Sequence, residues 1–147
     1  MARVLLTGMS GTGKSTVLAE LGRRGWPTVD TDYDGWVGPN GDWDEPRMAG
    51  LLRDTPTLIV SGTVANQGVF YDRFEHVVLL SAPLDVLLAR IAERTNNPYG
   101  STPEQLEEIR GNTAEVEPLL RRGAGLELDA TRPVAELADR LEALLRT

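Results

Sequence analysis

Residues Gly8, Met9, Ser10, Gly11, Thr12, Gly13, Lys14 and Ser15 follow the order G-x-x-x-x-G-K-[ST]. That spacing is suited to holding phosphate, because glycines let the backbone curl until successive N–H groups point inward at an anion. A helix starting just after the loop adds the positive end of its dipole. Lys14 is then placed to reach the β- and γ-phosphates of a nucleotide, and the Ser15 hydroxyl to ligate Mg²⁺. Thr16 is a further donor toward the α-phosphate, with a plain helix residue as the alternative. Gly8, Ser10, Gly11, Thr12, Gly13, Lys14, Ser15 and Thr16 therefore make up the expected nucleotide cradle.

A second chemical feature is Val29-Asp30-Thr31-Asp32, in which two carboxylates at i and i+2 share one side of an extended segment. At the C-terminal end of a strand in a parallel sheet they would border the ligand crevice. One could then hold Mg²⁺ through water while the other accepts a proton from an attacking hydroxyl. The alternative is that both cap a turn. Other chemistries are closed off. The chain has no cysteine, so disulfides, thiolate zinc sites and cysteine nucleophiles are excluded. Its one histidine, His76, cannot form a histidine metal site alone and is expected at a strand edge. No guanine-reading N-K-x-D occurs, and Asp32-Tyr33-Asp34-Gly35, although it spells D-x-x-G, is too loose a match to carry weight.

These residues need a frame, and the rest of the chain supplies one. Short apolar runs alternate with segments of helical period, the pattern of an α/β domain with a mainly parallel sheet. Strands are expected over Arg3 to Thr7, Thr28 to Asp30, Thr57 to Ser61, Val77 to Leu80 and Leu126 to Asp129. The first helix should begin at Gly13 or Lys14 and run to Arg24, ended by Gly25 and Pro27. A second covers Leu84 to Arg94, with Leu84, Leu87, Leu88 and Ile91 in one stripe. A third starts near Pro103 with Ser101 or Thr102 as N-cap. The last spans Val134 to Leu145 and places Val134, Leu137, Ala138, Leu141 and Leu145 on one face. From Tyr33 to Pro46, Gly35, Gly38, Pro39, Asn40 and Gly41 break any period, so a long loop is expected there. It carries Trp36 and Trp43, which either patch the core edge or enclose a ligand.

The 147 residues suit one domain, and a formal net charge of -7 disfavours extended binding to nucleic acid. No export signal or apolar run of membrane length is visible, so a cytoplasmic protein without membrane contact is expected. The length also falls short of an AAA or helicase motor.

With these residues in view, the sequence resembles the small P-loop kinases of the shikimate kinase, gluconate kinase and nucleoside monophosphate kinase group, over nearly the whole chain. The resemblance implies a P-loop NTPase three-layer sandwich: a five-stranded parallel sheet in the order 2-3-1-4-5 with helices on both faces, forming one domain over 1–147. It implies ATP and Mg²⁺ as ligands and a small-molecule acceptor, in a monomer or homodimer. Shikimate kinases carry Asp-x-Asp after the second strand, which makes Asp30 the Mg²⁺ helper and Asp32 the acceptor-binding residue and base. Leu88-Ala89-Arg90-Ile91-Ala92-Glu93-Arg94 is similar to the helix entering the lid of adenylate kinases, which would stack Arg90 on adenine and put Arg94 on the phosphates. Leu128-Asp129-Ala130-Thr131-Arg132-Pro133 resembles the adenine-side loop, with Arg132 and Pro133 near the base.

The departures from those families are informative. The third strand ends in Ser61-Gly62-Thr63, without the acid of adenylate kinases, which leaves Asp30 as the metal-side carboxylate and moves the reading toward the shikimate and gluconate branch. Only Thr95 to Ser101 remains for a lid, and no further basic cluster is present to read a sugar acid. Asn66, Gln67 and Tyr71 follow the third strand, near where such kinases bind acceptors. The expected activity is transfer of the γ-phosphate of Mg-ATP to a hydroxyl of a small metabolite, with catalysis by Lys14, Asp32 and Arg94. Two rivals stand beside it: a nucleoside monophosphate kinase, and a nucleotide-binding ATPase or regulator without an acceptor.

Overall fold

The computed structural model describes residues 1–93 and 102–147. Five strands, β1 (Arg3–Thr7), β2 (Thr28–Asp30), β3 (Leu58–Ser61), β4 (His76–Ser81) and β5 (Leu126–Asp129), form one sheet in the order β2-β3-β1-β4-β5. Every pairing is parallel, and the registers Asp30↔Ser61 and Leu6↔Ser61 bring the C-terminal ends of β1, β2 and β3 to one edge. The helices are α1 (Lys14–Arg23), α2 (Glu45–Asp54), α3 (Leu84–Glu93), α4 (Pro103–Gly123) and α5 (Val134–Leu145). A 3-10 segment, Gln67–Arg73, lies between β3 and β4.

Alternation along β1 decides which helices go where. Val4 and Leu6 face one side of the sheet and join Val17, Leu18 and Leu21 of α1 and Leu137, Ala138, Leu141 and Leu145 of α5. Leu5 faces the other side with Leu58 and Val60, where Trp36, Trp43, Met48, Leu52 and Phe70 cover them. Both faces of a parallel sheet are thus buried, as its continuous apolar strands require.

The strands and helices foreseen from sequence are present, with β4 longer by one residue at each end. Thr102 caps α4, its hydroxyl accepting from Gln105 N at 3.2 Å. Two elements went unforeseen. Asp44 caps α2 by accepting from Arg47 N at 3.1 Å, with Pro46 in the first turn, so a regular helix begins where the expected loop was to end. The 3-10 segment is the other. Of the two tryptophan readings the core one describes the structure: Trp36 and Trp43 are 8% and 2% exposed. Trp43 packs 6.0 Å from Phe70, and the Arg47 guanidinium lies 3.8 Å over the Trp36 ring. Val134 and Leu84 also depart from expectation, standing at the solvent margin of their helices.

Candidate functional site

The loop between β1 and α1 takes its shape from its glycines. Gly11 and Gly13 adopt φ of 89° and 92°, conformations that side-chain-bearing residues rarely hold, and Gly13 directly precedes α1. At Gly8 a Cβ would collide with the Leu80 carbonyl oxygen, so the end of β1 approaches β4 closer than any other residue allows. Thr12 is buried and closes the curl by donating to Met9 O at 2.9 Å. The Lys14 ammonium donates to Gly8 O at 2.5 Å and Met9 O at 3.3 Å, across the mouth of the loop. Burial lowers its pKa from 10.5 to about 8, while Asp32 and Asp30 pull it upward.

The two aspartates stand beside this loop in different settings. Asp30 accepts from the Ser15 hydroxyl at 2.7 Å through Oδ2, and through Oδ1 from Asp32 N at 3.1 Å. It is therefore both a turn residue and the partner of Ser15. Asp32 lines the same cleft as Lys14 and Ser15. Desolvation of its carboxyl, followed by repulsion from Asp30, pushes its pKa up, and Lys14 opposes that shift. The metal-binding chemistry available here is oxygen only. Among the described residues no three acidic or histidine side chains cluster, so a cation would rest on Ser15, Asp30 and the oxygens of its ligand. That set fits Mg²⁺, which keeps several waters and takes one or two protein oxygens.

The cleft is about 860 Å³, a size suited to a nucleotide, and runs from Asp32 and Tyr33 past the loop to α5. Its far wall consists of Arg90, Ala130, Arg132, Val134 and Leu137. Arg90 is fixed by its nitrogen edge: NH1 donates to Gly11 O at 3.3 Å and Thr12 O at 3.2 Å, and NH2 to Ala130 O at 2.7 Å. It thereby ties the phosphate loop to the β5–α5 turn. Arg132 lines the cleft but is exposed and paired with Glu136 at 3.1 Å. Pro133 is a partial correction to the sequence reading, since it occupies the cap position of α5 and does not line the cleft, whereas Ala130, Val134 and Leu137 do. Asp129 spends its carboxylate on Thr131 N and Oγ1, at 2.9 and 2.6 Å, shaping that turn. Arg94 and the expected lid over 95–101 lie outside the described residues.

Beyond β3, the residues expected near the acceptor are bonded into the framework. Asn66 accepts from Trp43 N at 3.0 Å and donates to Trp43 O at 3.1 Å, which fixes the tryptophan loop. Gln67 is 2% exposed and bonds Thr7 and Tyr71. Thr63 was not singled out from sequence, yet its hydroxyl donates to Gly8 O at 2.6 Å. Only its position, at the strand end where related kinases carry an acid, could have drawn attention to it. His76 sits at the start of β4 against Thr147 at 2.9 Å, away from the cleft.

A family model described as an AAA domain matches residues 4–116. The chain belongs to that family. What is matched is the span from β1 through most of α4, so the membership concerns the phosphate-loop domain. No curated protein matches the chain. Among solved structures the chain is similar to a shikimate kinase from Acinetobacter baumannii in complex with shikimate, at 23% identity and a TM-score of 0.71, covering 99% of this chain and 93% of that one. A gluconokinase from Sinorhizobium meliloti 1021 gives 19%, 0.63, 99% and 91%. A deoxyadenosine kinase from M.mycoides with bound dATP gives 14%, 0.66, 99% and 100%. At these identities the likeness shows a shared fold, that of small P-loop kinases.

Among the described residues no helix is long and apolar enough to cross a membrane.

Proposed function

We propose that the chain is a kinase that transfers the γ-phosphate of Mg-ATP to a hydroxyl of a small molecule, within one domain spanning 1–147. The observation that carries this reading is the division of the two carboxylates: that of Asp30 is bonded to Ser15 at 2.7 Å, while that of Asp32 takes no part in this bond and lines the cleft with Lys14. A cradle that only bound nucleotide would not need a second carboxylate on the cleft wall with its pKa pushed up. A proton acceptor for an incoming hydroxyl would, since efficiency rises as its pKa approaches the working pH.

In this proposal the loop N–H groups and Lys14 hold the β- and γ-phosphates, the Lys14 ammonium having a third proton beyond the two bonded to Gly8 O and Met9 O. Ser15 and Asp30 would hold Mg²⁺, which when bound supplies positive charge against the phosphate oxygens. The acceptor oxygen bonds to the γ-phosphorus, its proton passes to Asp32, and the bond to the bridging oxygen breaks to release ADP. Arg90, fixed by its edge, keeps a planar face for the base, and Arg132 supports the same side. Arg94 would add charge at the γ-phosphate, a role that rests on the family resemblance alone. The segment over 33–46 borders the acceptor.

The test is γ-labelled ATP offered with a panel of neutral polyols, nucleosides, sugar acids and nucleoside monophosphates. Label on a hydroxyl of a polyol, sugar acid or nucleoside supports the proposal. Stimulation only by a nucleoside monophosphate points to the monophosphate kinase instead. Label found solely as inorganic phosphate, at one slow rate with every compound, means an ATPase or regulator.

A further inference from the structure

The turn after β2 is pinned along its backbone, yet it carries a large ring in the open. Thr31 is buried, and its N–H and its hydroxyl both donate to Ser61 O, at 2.9 and 2.8 Å. Asp32 N and Tyr33 N donate back to Asp30, at 3.1 and 3.2 Å. Just beyond, Asp34 and Gly35 hold φ of 64° and 75°, so the chain reverses through successive left-handed residues, at a steric cost that aspartate bears better than most. Arg47 holds that reversal from outside, donating NH1 to Asp34 O at 2.7 Å while its guanidinium lies over Trp36. Tyr33 stands between these anchors and is 61% exposed. Among the described residues none gives its hydroxyl a hydrogen bond or its ring an aromatic or cationic partner.

Tyr33 is also the one aromatic among the described residues that line the cleft, and Asp32 beside it lines the same cleft. A ring whose backbone is fixed on both sides loses little conformational freedom when something stacks on it, which suits it to binding. The wall with Arg90 and Arg132 is at the base end of the cleft, and Tyr33 is at the other. Consecutive Cα atoms are about 3.8 Å apart, so a hydroxyl meeting Asp32 and a ring lying on Tyr33 can belong to one small molecule. We infer that Tyr33 is a specificity-determining residue of the acceptor site: its ring is the platform for a planar unsaturated ring carried by the acceptor, whose hydroxyl meets Asp32. The inference rests on the proposed phosphoryl transfer and narrows its acceptor to an alcohol bearing an aromatic or heteroaromatic ring, as nucleosides and aryl alcohols do. Aromatic pairs gain from offset or edge-to-face contact beyond the area they bury, a gain that a saturated polyol does not offer. Tyr33 makes and breaks no bond in this account, so its effect belongs to acceptor binding.

The experiment follows label from γ-labelled ATP into nucleosides, aryl alcohols, saturated cyclic polyols and open-chain polyols, with wild type, Tyr33→Phe and Tyr33→Leu, and thermal unfolding of each. Wild type should favour planar-ring acceptors in kcat/KM, and the nucleoside and aryl alcohol arms tell which source supplies the ring. Tyr33→Leu keeps apolar bulk without a ring. Its acceptor KM should rise by about 5- to 150-fold, the usual worth of one stacked base, with the loss falling on acceptor KM more than on kcat and ATP KM within about twofold. Tyr33→Phe should stay near wild type. Label on no hydroxyl of any compound would overturn the proposed function itself. Label on a hydroxyl, beside equal or greater kcat/KM for saturated polyols in wild type, would overturn this inference alone, and that comparison needs no variant. An unchanged acceptor KM in a folded Tyr33→Leu, or a loss in Tyr33→Phe as large as in Tyr33→Leu, would likewise overturn it, since either removes stacking as the cause.

Discussion

The phosphate loop and the segment from Tyr33 to Asp54 both leave the C-terminal edge of the same sheet, and they are built in opposite ways. The loop is shaped from within: glycines at fixed spacing, a lysine bonded to Gly8 and Met9, and a helix that starts at once. The Tyr33 to Asp54 segment is shaped from outside, by Trp36, Trp43, Met48 and Leu52 packing onto Leu5, Leu58 and Val60. The first offers backbone donors and a lysine to the cleft, and the second buries apolar surface. The comparison suggests that substitutions in one should change ligand binding without stability, and in the other stability without the phosphate contacts.

The largest stability effect should come from Trp43→Ala. Trp43 is 2% exposed, and removing so large a buried ring costs about 3–5 kcal/mol, read by urea unfolding. ATP affinity of the fraction that remains folded should be nearly unchanged. Lys14→Ala should do the reverse: nucleotide affinity falls by at least about 10²-fold, or about 2.7 kcal/mol, while the unfolding midpoint does not fall. A folded Lys14→Ala that binds ATP as tightly as wild type would break the comparison at its first term.

The pH dependence sharpens the same contrast. The folded-state pKa of Lys14, about 8, lies below its ordinary 10.5, so between those values the unfolded chain holds more protons. Stability of the nucleotide-free protein should therefore rise as pH increases from about 8 to 10.5, an increment absent in Lys14→Ala. Phosphate beside Lys14 favours the charged form, so ATP binding near pH 9 should take up protons, measurable by titration in buffers of different ionisation enthalpy. The smallest effect should be that of Arg132→Ala. Its pair with Glu136 is an exposed i, i+4 contact of little worth in water, so stability should hold while the preference for ATP over GTP narrows.

Legibility from sequence divides along the same line. The loop and the strands themselves follow from local spacing and alternation, which a chain displays on its face, while the strand order and the place of Asp30 beside Ser15 came with the family resemblance. Helix α2 was hidden because Pro46 reads as a breaker, although at a first helical turn it is tolerated, and Asp44 supplies the cap. Arg90 was read as a stacking residue. Its bonds to Gly11, Thr12 and Ala130 depend on three segments meeting, which no local pattern announces. Thr63 and Gln67 were hard to place for the same reason: threonine and glutamine carry no signature until the fold shows what they face.

The central claim is that Asp32 serves the acceptor while Asp30 serves the Ser15 corner. The most direct measurement is turnover of label transfer from γ-labelled ATP by Asp32→Asn, taken with its ATP affinity, once the panel has supplied an acceptor. The account predicts turnover lower by about 10²- to 10⁴-fold, with ATP affinity within about twofold of wild type. Full turnover with unchanged acceptor binding in Asp32→Asn would contradict it and leave this carboxylate a turn residue.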